Sequence, residues 1–338
     1  MAKYAASHPF EVANFHEHQN ASGSLMSEAV KSMHSDIGFV LSASGHPAVI
    51  SPEYVGTIVL KHLLKLTAMH LKHDRVSKAV IAVPAKFSTV QKAATGVAFQ
   101  NAGLKVVRVL DEPTAAAVAY NLHKRQDVHH ILVYDFGGGT LDVSILYVSH
   151  GSVQVYAADG DNFLGGSDFD MCLYNLVKSK IFEKTESLFW SDSSSSMSGR
   201  QGNSMGMPSN DSSLMCDSAA MHKKIETLKK RLSVEYIASF ECVYVSRKPY
   251  EEIISIEVHR TDFEKSCEHL FDRGLIPVTR LLDELNMESS NIDEVVLVGG
   301  TTRIPFVKQK LKSIFSKQLN DEIDPDITIA YGASSILM

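Results

Sequence analysis

The chain has 338 residues, 44% of them hydrophobic, and a formal net charge of −6 from 33 Lys and Arg against 39 Asp and Glu. This composition excludes a disordered, collagen-like or coiled-coil chain, and at about 150 residues per domain the length allows two domains. The acidic balance speaks against nucleic acid or an anionic membrane as the main partner.

No run of about 18 apolar residues occurs, and the first thirty residues lack a basic start followed by an apolar stretch, so neither a membrane span nor an address is expected. Cys172, Cys216, Cys242 and Cys267 are scattered. Such spacing suits neither a disulfide scaffold nor a paired-thiolate metal site, and they are expected as buried or free thiols.

Residues 1–50 are poorly periodic and predict an irregular opening. At Ser51-Pro52-Glu53 a capping serine, a proline at the first helical position and an acid in the first turn announce a helix with the apolar stripe Val55, Ile58, Val59, Leu63 and Leu66. From Lys78 the order is strand (KAVIAV), helix from Ser88 to about Asn101, strand (105–110) and a helix beginning near Pro113, which points to a largely parallel α/β core.

Two β-rich runs, 129–135 and 141–148, are joined by Phe136-Gly-Gly-Gly-Thr140 as a hairpin, and 152–158 extends the meander. Between Ser191 and Ser218, 11 of 28 residues are Ser, which reads as a flexible surface insertion. Met221, Ile225, Leu228 and Leu232 then mark a helix with a basic opposite face. A hairpin (239–246 and 253–259) follows, then one helix from a Thr261-x-x-Glu264 capping box to about Asn286. EVVLVGG (294–300) is a buried strand running into a helix near Thr301, and Asp324-Pro-Asp-Ile opens the last helix.

Chemistry is concentrated in Asp135-Phe-Gly137-Gly138-Gly139-Thr140-Leu-Asp142. An acid at a strand end followed by three glycines and a hydroxyl lets backbone N–H groups approach a polyphosphate, and Asp135 can hold a hydrated Mg2+. A hairpin needing positive φ accounts for one glycine, not three.

Leu164-Gly165-Gly166 and Val298-Gly299-Gly300-Thr301-Thr-Arg303 are weaker turns of the same kind, and convergence of all three on one cleft is the natural reading. Glu112 precedes Pro113 at a strand-to-helix junction, where it either orients a water through a metal shell or compensates the helix dipole. His16, His18, His129 and His130 are expected at the surface or in packing. Asn20 and Asn210 fit the glycosylation sequon, which matters only in a secretory compartment. Nucleotide and protease motifs such as GxxxxGK[ST], GxGxxG after a strand and HExxH do not occur.

In this order, VIAVPAKF, RVLDEPTAAAVAYNL, VYDFGGGTLDVSIL, GDNFLGGSDFD, EVVLVGGTTRIP and DPDITIAYGA make the chain resemble the ATPase core of the 70-kDa heat-shock (stress-70) chaperone family from about Ser51 onward. The wording of SPEYVG, LHK and IDEVVLVGG is most similar to the microsomal branch, an ATPase core without a substrate-binding domain.

The resemblance implies an actin-like (ribonuclease H-like) α/β fold of two lobes. The remnant of lobe I is residues 1–124, with 1–50 as its upper and 51–124 as its lower part. Lobe II is 125–338, with 125–164 and 265–338 as its lower part. Its upper part, 165–264, carries the insertion 191–218.

It further implies ATP or ADP with Mg2+, and K+ as a second candidate cation. Asp135 would hold the metal through water with Asp142 as a second cation-site carboxylate. Glu112 would place the attacking water, and Thr140 with Gly137, Gly138 and Gly139 the transferred phosphate. Gly165 and Gly166, Glu226, Lys229, Lys230 and Ser233 on the basic helix, and Gly299, Gly300, Thr301, Arg303 and Asp326 would surround the nucleotide. Pro84 and Lys92 fall on switch positions.

Expected partners are nucleotide, exchange factors and J-domain co-chaperones, for a monomer in stress response and protein folding. The endoplasmic reticulum is the compartment implied by resemblance, or the cytoplasm for the chain as written.

Ser88-Thr89 stands where the family has Asn-Asp, and Phe136 where it has Leu or Ile. The family's Asp-Leu-Gly-Thr-Thr loop and the lysine that follows it have no counterpart before Ser51. Loss of one phosphate-stabilising donor set costs about 100- to 1,000-fold in rate, so impaired hydrolysis and an incomplete first lobe are expected. Two alternatives remain: a catalytically silent nucleotide- or partner-binding fragment and, disfavoured by EPTAAA beside the glycine loop, an actin-like sugar kinase.

Overall fold

The computed structural model describes residues 12–14, 37–43, 46–193, 218–245 and 251–336. Most of the Ser-rich stretch, His16, His18, Asn20, Asn210 and Cys216 lie outside the described residues. The chain divides into two units, Met1–Ala119 with Ile329–Met338, and Tyr120–Thr328.

In the first unit, β1 (Val12–Asn14), β2 (Ile37–Ala43) and β3 (His46–Ile50) form an antiparallel sheet in that order. Helix α1 (Pro52–Leu71) starts as the sequence dictates, with Ser51 Oγ accepting the Tyr54 N–H at 3.2 Å. Its expected apolar stripe, however, does not face a core: Ile58, Val59, Leu63 and Leu66 are about half exposed.

The buried face of α1 is polar. Thr57 Oγ1 donates to Glu53 O at 2.7 Å and also reaches Ala98 O at 3.3 Å. Small side chains explain this, because a methyl added at Gly56 would already stand 3.3 Å from the Ala98 side chain, so this side of α1 admits the closest approach of α2 (Thr89–Asn101). Periodicity fixes that a helix has faces, but not which one a neighbour covers.

β4 (Lys78–Val83) and β5 (Lys105–Asp111) pair in parallel through α2, which opens with a Ser88/Gln91 capping box. Val83 lies opposite Asp111, so Pro84 and Glu112 leave the same carboxyl edge of the pair. That edge is where open α/β sheets carry ligand sites. Helix α3 (Glu112–Ala119) buries Ala115, Ala116, Ala117 and Ala119.

The second unit is built on a mixed sheet ordered β12-β11-β6-β7-β8. Its meander is β6 (His130–Phe136), β7 (Leu141–Ser149) and β8 (Ser152–Asp161), with Asp135 opposite Asp142 across the β6–β7 turn. The almost uninterrupted apolar run of β6 is explained by burial on both faces.

Helix α4 (Gly166–Ser193) leaves the sheet at Gly165-Gly166. It is followed by α5 (Ser218–Val234), the hairpin β9 (Ile237–Val245) with β10 (Glu251–His259), and α6 (Arg260–Ser266). The single helix expected over 261–286 is broken at Cys267, and α7 (Glu268–Glu284) returns to the sheet. Helix α6 starts one residue before Thr261, and His259 caps it without a side-chain hydrogen bond, so the capping box does not form.

β11 (Glu294–Val298) runs parallel to β6 and to β12 (Leu319–Asn320), with α8 (Pro305–Phe315) between them. A 3-10 turn over 300–303 precedes α8, four residues after the predicted start of the helix. One continuous core joins the sheet to the α4–α5–hairpin segment through Phe136, Phe169, Ile225, Phe240, Phe263 and Phe271. The last helix, α9 (Thr328–Ser335), returns to the first unit from Ile329 on, and within that unit Ala333 packs with Leu110 and Ala115.

The cysteine expectation is corrected. Cys172 and Cys267 are joined by a disulfide across 95 residues, and Cys242 is disulfide-bonded as well. Their separation in sequence hides a proximity that the α4–α6 packing creates. Among the described residues no helix is long and apolar enough to cross a membrane.

Candidate functional site: a glycine-lined pocket

The three glycine turns of the second unit converge by direct hydrogen bonds. Gly166 N–H donates to Gly137 O at 3.0 Å, Ser167 N–H to Gly138 O at 2.9 Å, and Thr301 Oγ1 to Gly137 O at 2.8 Å. Gly165 has to be glycine, because a Cβ there would sit 2.3 Å from Gly139 N and 2.4 Å from Gly138 C. At Gly299, with φ +81°, a Cβ would meet Phe136 O at 2.3 Å.

Gly137, Gly138 and Gly139 behave differently. None has a positive φ, and a Cβ added at Gly138 or Gly139 would meet nothing within 4 Å. Neither backbone conformation nor internal packing calls for glycine at these two positions, which leaves the backbone bare toward open space.

The space beside Gly138 belongs to a cavity of about 870 Å3. Its walls include the expected residues Gly138, Gly166, Glu226, Lys229, Lys230, Ser233, Gly300, Thr301, Arg303 and Asp326. Ser167, Asp170, Thr302, Lys308 and Asp321 also line it, and the sequence reading did not name them. Asp170 had one readable signal: it lies in the first turns of the helix that opens at the glycine pair, on the side facing α5.

Helix α5 supplies a wall that carries two lysines, each paired with an acid. Lys229 Nζ donates to Gly166 O at 2.7 Å and lies 2.9 Å from Asp170 Oδ1. Burial raises the Asp170 pKa, and the hydrogen bond from Lys229 opposes that rise. Lys230 pairs with Glu226 one turn earlier at 2.6 Å, which holds the Glu226 carboxyl below its ordinary range. The Ser233 hydroxyl donates back to Lys229 O.

Arg303 is held by Asp326 at 3.0 Å and by Asp324, so its planar guanidinium is fixed at the cavity rim. Behind the glycine loop, Asp135 has its pKa pushed up to about 7, first by burial and then by the facing Asp142 carboxylate. Thr140 O accepts the Gly137 N–H at 3.0 Å and closes the turn.

Glu112, Pro84 and Lys92 belong to the first unit. There, Lys92 Nζ bonds Asp111 Oδ1 at 2.7 Å, directly beside Glu112.

Among the described residues no three His, Cys, Asp or Glu side chains gather to hold a metal on their own. The Asp135–Asp142 pair suits Mg2+ arriving with phosphates, since that ion keeps most of its waters and takes only one or two carboxylates. His129 and His130 border a separate cleft with Tyr156 and Asp293, whose Oδ2 accepts both backbone N–H groups.

Fold and site together define a mixed α/β protein with a pocket lined by glycine turns and by the paired lysines of α5. The chain belongs to the Hsp70 protein family, whose model matches residues 12–198 and 209–337; with that family comes the actin-like ATPase fold.

It is 36% identical over 285 residues to the chaperone protein DnaK of Mycoplasmopsis agalactiae, covering 84% of this chain and 44% of that protein. Similar values hold for a mitochondrial-type heat shock protein 70 of Encephalitozoon hellem, at 36% identity, 84% of this chain and 44% of that protein. The chaperone protein dnaK of Trieres chinensis is 37% identical, with 84% and 42% covered. The chain therefore spans less than half the length of these curated relatives.

Proposed function

We propose that the chain binds ATP or ADP with Mg2+ in the glycine-lined pocket and works as a chaperone-type nucleotide-binding core in protein folding. The observation that carries this reading is the bare backbone at Gly138, open toward a cavity lined by Lys229, Lys230 and Arg303, each paired with an acid of the same wall. In this reading the backbone N–H groups of 137–139 and the Thr140 hydroxyl take the phosphates. Asp135, once ionised, and Asp142 hold the hydrated Mg2+, which neutralises phosphate charge when bound. Glu226, Lys229, Lys230 and Ser233 with Gly299, Gly300, Thr301, Arg303 and Asp326 embrace the nucleoside. Gly165 and Gly166 brace the loop, and Lys229 fixes the carbonyl of Gly166.

Glu112 would orient the attacking water, and Pro84 and Lys92 would be switch elements of lobe I (1–124), with lobe II spanning 125–338. Among the described residues the turns at 137–139, 165–166 and 299–300 form one phosphate-binding set in this reading. Hydrolysis near background is part of the proposal, and a silent nucleotide-dependent partner-binding core is the second reading.

Exchange factors and J-domain proteins are the expected partners of a monomer. The endoplasmic reticulum is the proposed compartment, because Cys172, Cys267 and Cys242 are all disulfide-bonded and such bonds persist in oxidising surroundings. The microsomal branch is the subfamily we favour.

Titration calorimetry of the chain with ADP and Mg2+ tests the core of the reading: measurable binding that Gly138→Ala weakens is expected, and absence of heat overturns it. A single-turnover assay with ATP should give a rate close to that of Asp135→Asn. A fast rate lost in that variant would overturn the expectation of weak hydrolysis.

A further inference from the structure

We infer that the Cys172–Cys267 disulfide is a redox-controlled clamp on the nucleotide pocket; this rests on the reading of that pocket given above. The chain leaves the five-stranded sheet at Gly165-Gly166, travels through α4, α5, the β9–β10 hairpin and α6, and comes back to the sheet as α7. Cys172 lies in the second turn of the outgoing α4. Cys267 is the joint where α6 ends and α7 begins. The bond thus closes the two crossings at the base of the whole excursion.

The excursion carries one wall of the pocket, the α5 side chains Glu226, Lys229, Lys230 and Ser233. The opposite wall, Gly138 and Gly300 to Ile304, stands on the sheet and on the turn after β11, outside the disulfide loop. A covalent tie at the base therefore limits how far the α5 wall can swing from its counterpart.

The non-covalent contacts at the same seam are short-range. Phe169 packs on Phe271 with ring centres 4.7 Å apart and on Phe263 at 6.3 Å, and Lys180 pairs with Asp262 at 2.7 Å. These contacts resist sliding but can open together, whereas the disulfide cannot open without chemistry.

The bond is reachable from one side. Cys267 is fully buried, while Cys172 is partly exposed in an open cleft with Met171, Asn175, Ser266 and His269. A thiolate of a dithiol reductant attacks Cys172 Sγ, and the S–S bond breaks with Cys267 leaving as thiolate and taking up a proton. The second thiol of the reductant then attacks the mixed disulfide and releases Cys172 as a thiol. In total the reductant gives two electrons and two protons and becomes a disulfide, and the chain gains two thiols.

The test is the release rate of a fluorescent ADP analogue from the 338-residue chain, oxidised or reduced with dithiothreitol, the state of the bond being read by non-reducing peptide mapping. Reduction should speed release at least fivefold. The Cys172→Ala/Cys267→Ala variant should release at the fast rate with or without dithiothreitol, and Cys242→Ala should still respond.

Equal rates in the two states, with the bond shown to be open, overturn the clamp. Hydrogen–deuterium exchange of the α5 amides, measured without nucleotide, separates the clamp from the pocket reading. Faster exchange on reduction supports the clamp, and unchanged exchange overturns it. If no nucleotide binds in either state while exchange does respond, the nucleotide assignment fails and the mechanical tie stands.

Discussion

Lys229 Nζ stands 2.9 Å from Asp170 Oδ1, with only 11% and 19% of the two side chains exposed. The lysine also donates to Gly166 O, so one cation anchors the pocket wall to the turn beneath the phosphate loop. Breaking a pair this buried leaves an uncompensated charge. Lys229→Met is expected to cost about 3 kcal/mol, and Lys229→Met/Asp170→Leu to regain much of that. Urea denaturation of the single and double variants checks this; a single variant within about 0.5 kcal/mol of the parent would mean the pair is energetically idle.

The glycines offer a paired test in which geometry predicts opposite outcomes. Gly165→Ala drives a methyl into the backbone of Gly138 and Gly139, and the overpacking should cost roughly 1–3 kcal/mol or more. Gly138→Ala meets no atom within 4 Å and should leave stability within about 0.5 kcal/mol. The new methyl occupies the space assigned to phosphate, so ADP affinity should fall about tenfold, or 1.4 kcal/mol. Denaturation and calorimetry on both variants decide; unchanged ADP affinity in Gly138→Ala would move the phosphate elsewhere.

What could be read from the sequence follows from how local the cause is. β6 and β7 are legible because burial on both faces demands apolar runs, and Ser51 and Ser88 cap helices through bonds spanning three residues. The convergence of the glycine turns was also legible, because each lies at the end of an apolar strand or the start of a helix.

What stayed hidden depends on partners distant in sequence. The apolar stripe of Ile58, Val59, Leu63 and Leu66 stays about half exposed, and α2 takes the Gly56–Thr57 face instead. Asp170 becomes a pocket residue only because α5, more than fifty residues later, brings Lys229 against it. The pairing of Cys172 with Cys267 likewise needs the fold to exist first.

Asp135 supplies a pH-dependent prediction. Its pKa is about 7 in the folded chain against an ordinary 3.8, because burial and the Asp142 charge disfavour the ionised form. Between those values the folded state keeps a proton that the unfolded state has lost, so this group's contribution to stability falls as pH rises from about 4 to 7. Asp135→Asn should remove that fall and be more stable than the parent at pH 8 by up to about 4 kcal/mol, at 1.36 kcal/mol per pKa unit between 3.8 and about 7. Binding of Mg2+ with ADP requires the ionised carboxylate, so affinity should rise from pH 6 to pH 8 with release of a proton. Calorimetry in buffers of different ionisation heat reads that proton, and an affinity independent of pH would remove Asp135 from the metal site.

The Cys172–Cys267 bond also carries a stability prediction separate from its effect on ligand release. It closes a loop spanning 95 residues, and cross-links of this kind stabilise by about 2–4 kcal/mol, largely by restricting the unfolded chain. Cys172→Ala/Cys267→Ala should lose that amount in denaturant under oxidising conditions and gain nothing further from added dithiothreitol at this seam. Phe169→Ala, which removes packing between α4 and the α6–α7 joint, should cost about 3–5 kcal/mol whatever the redox state. Because the two act on different states, one on the unfolded chain and the other on the folded seam, their costs should add within about 0.5 kcal/mol. Strong non-additivity would mean that the disulfide acts by holding Phe169 in place, and would shift its effect from the unfolded chain to the packed seam.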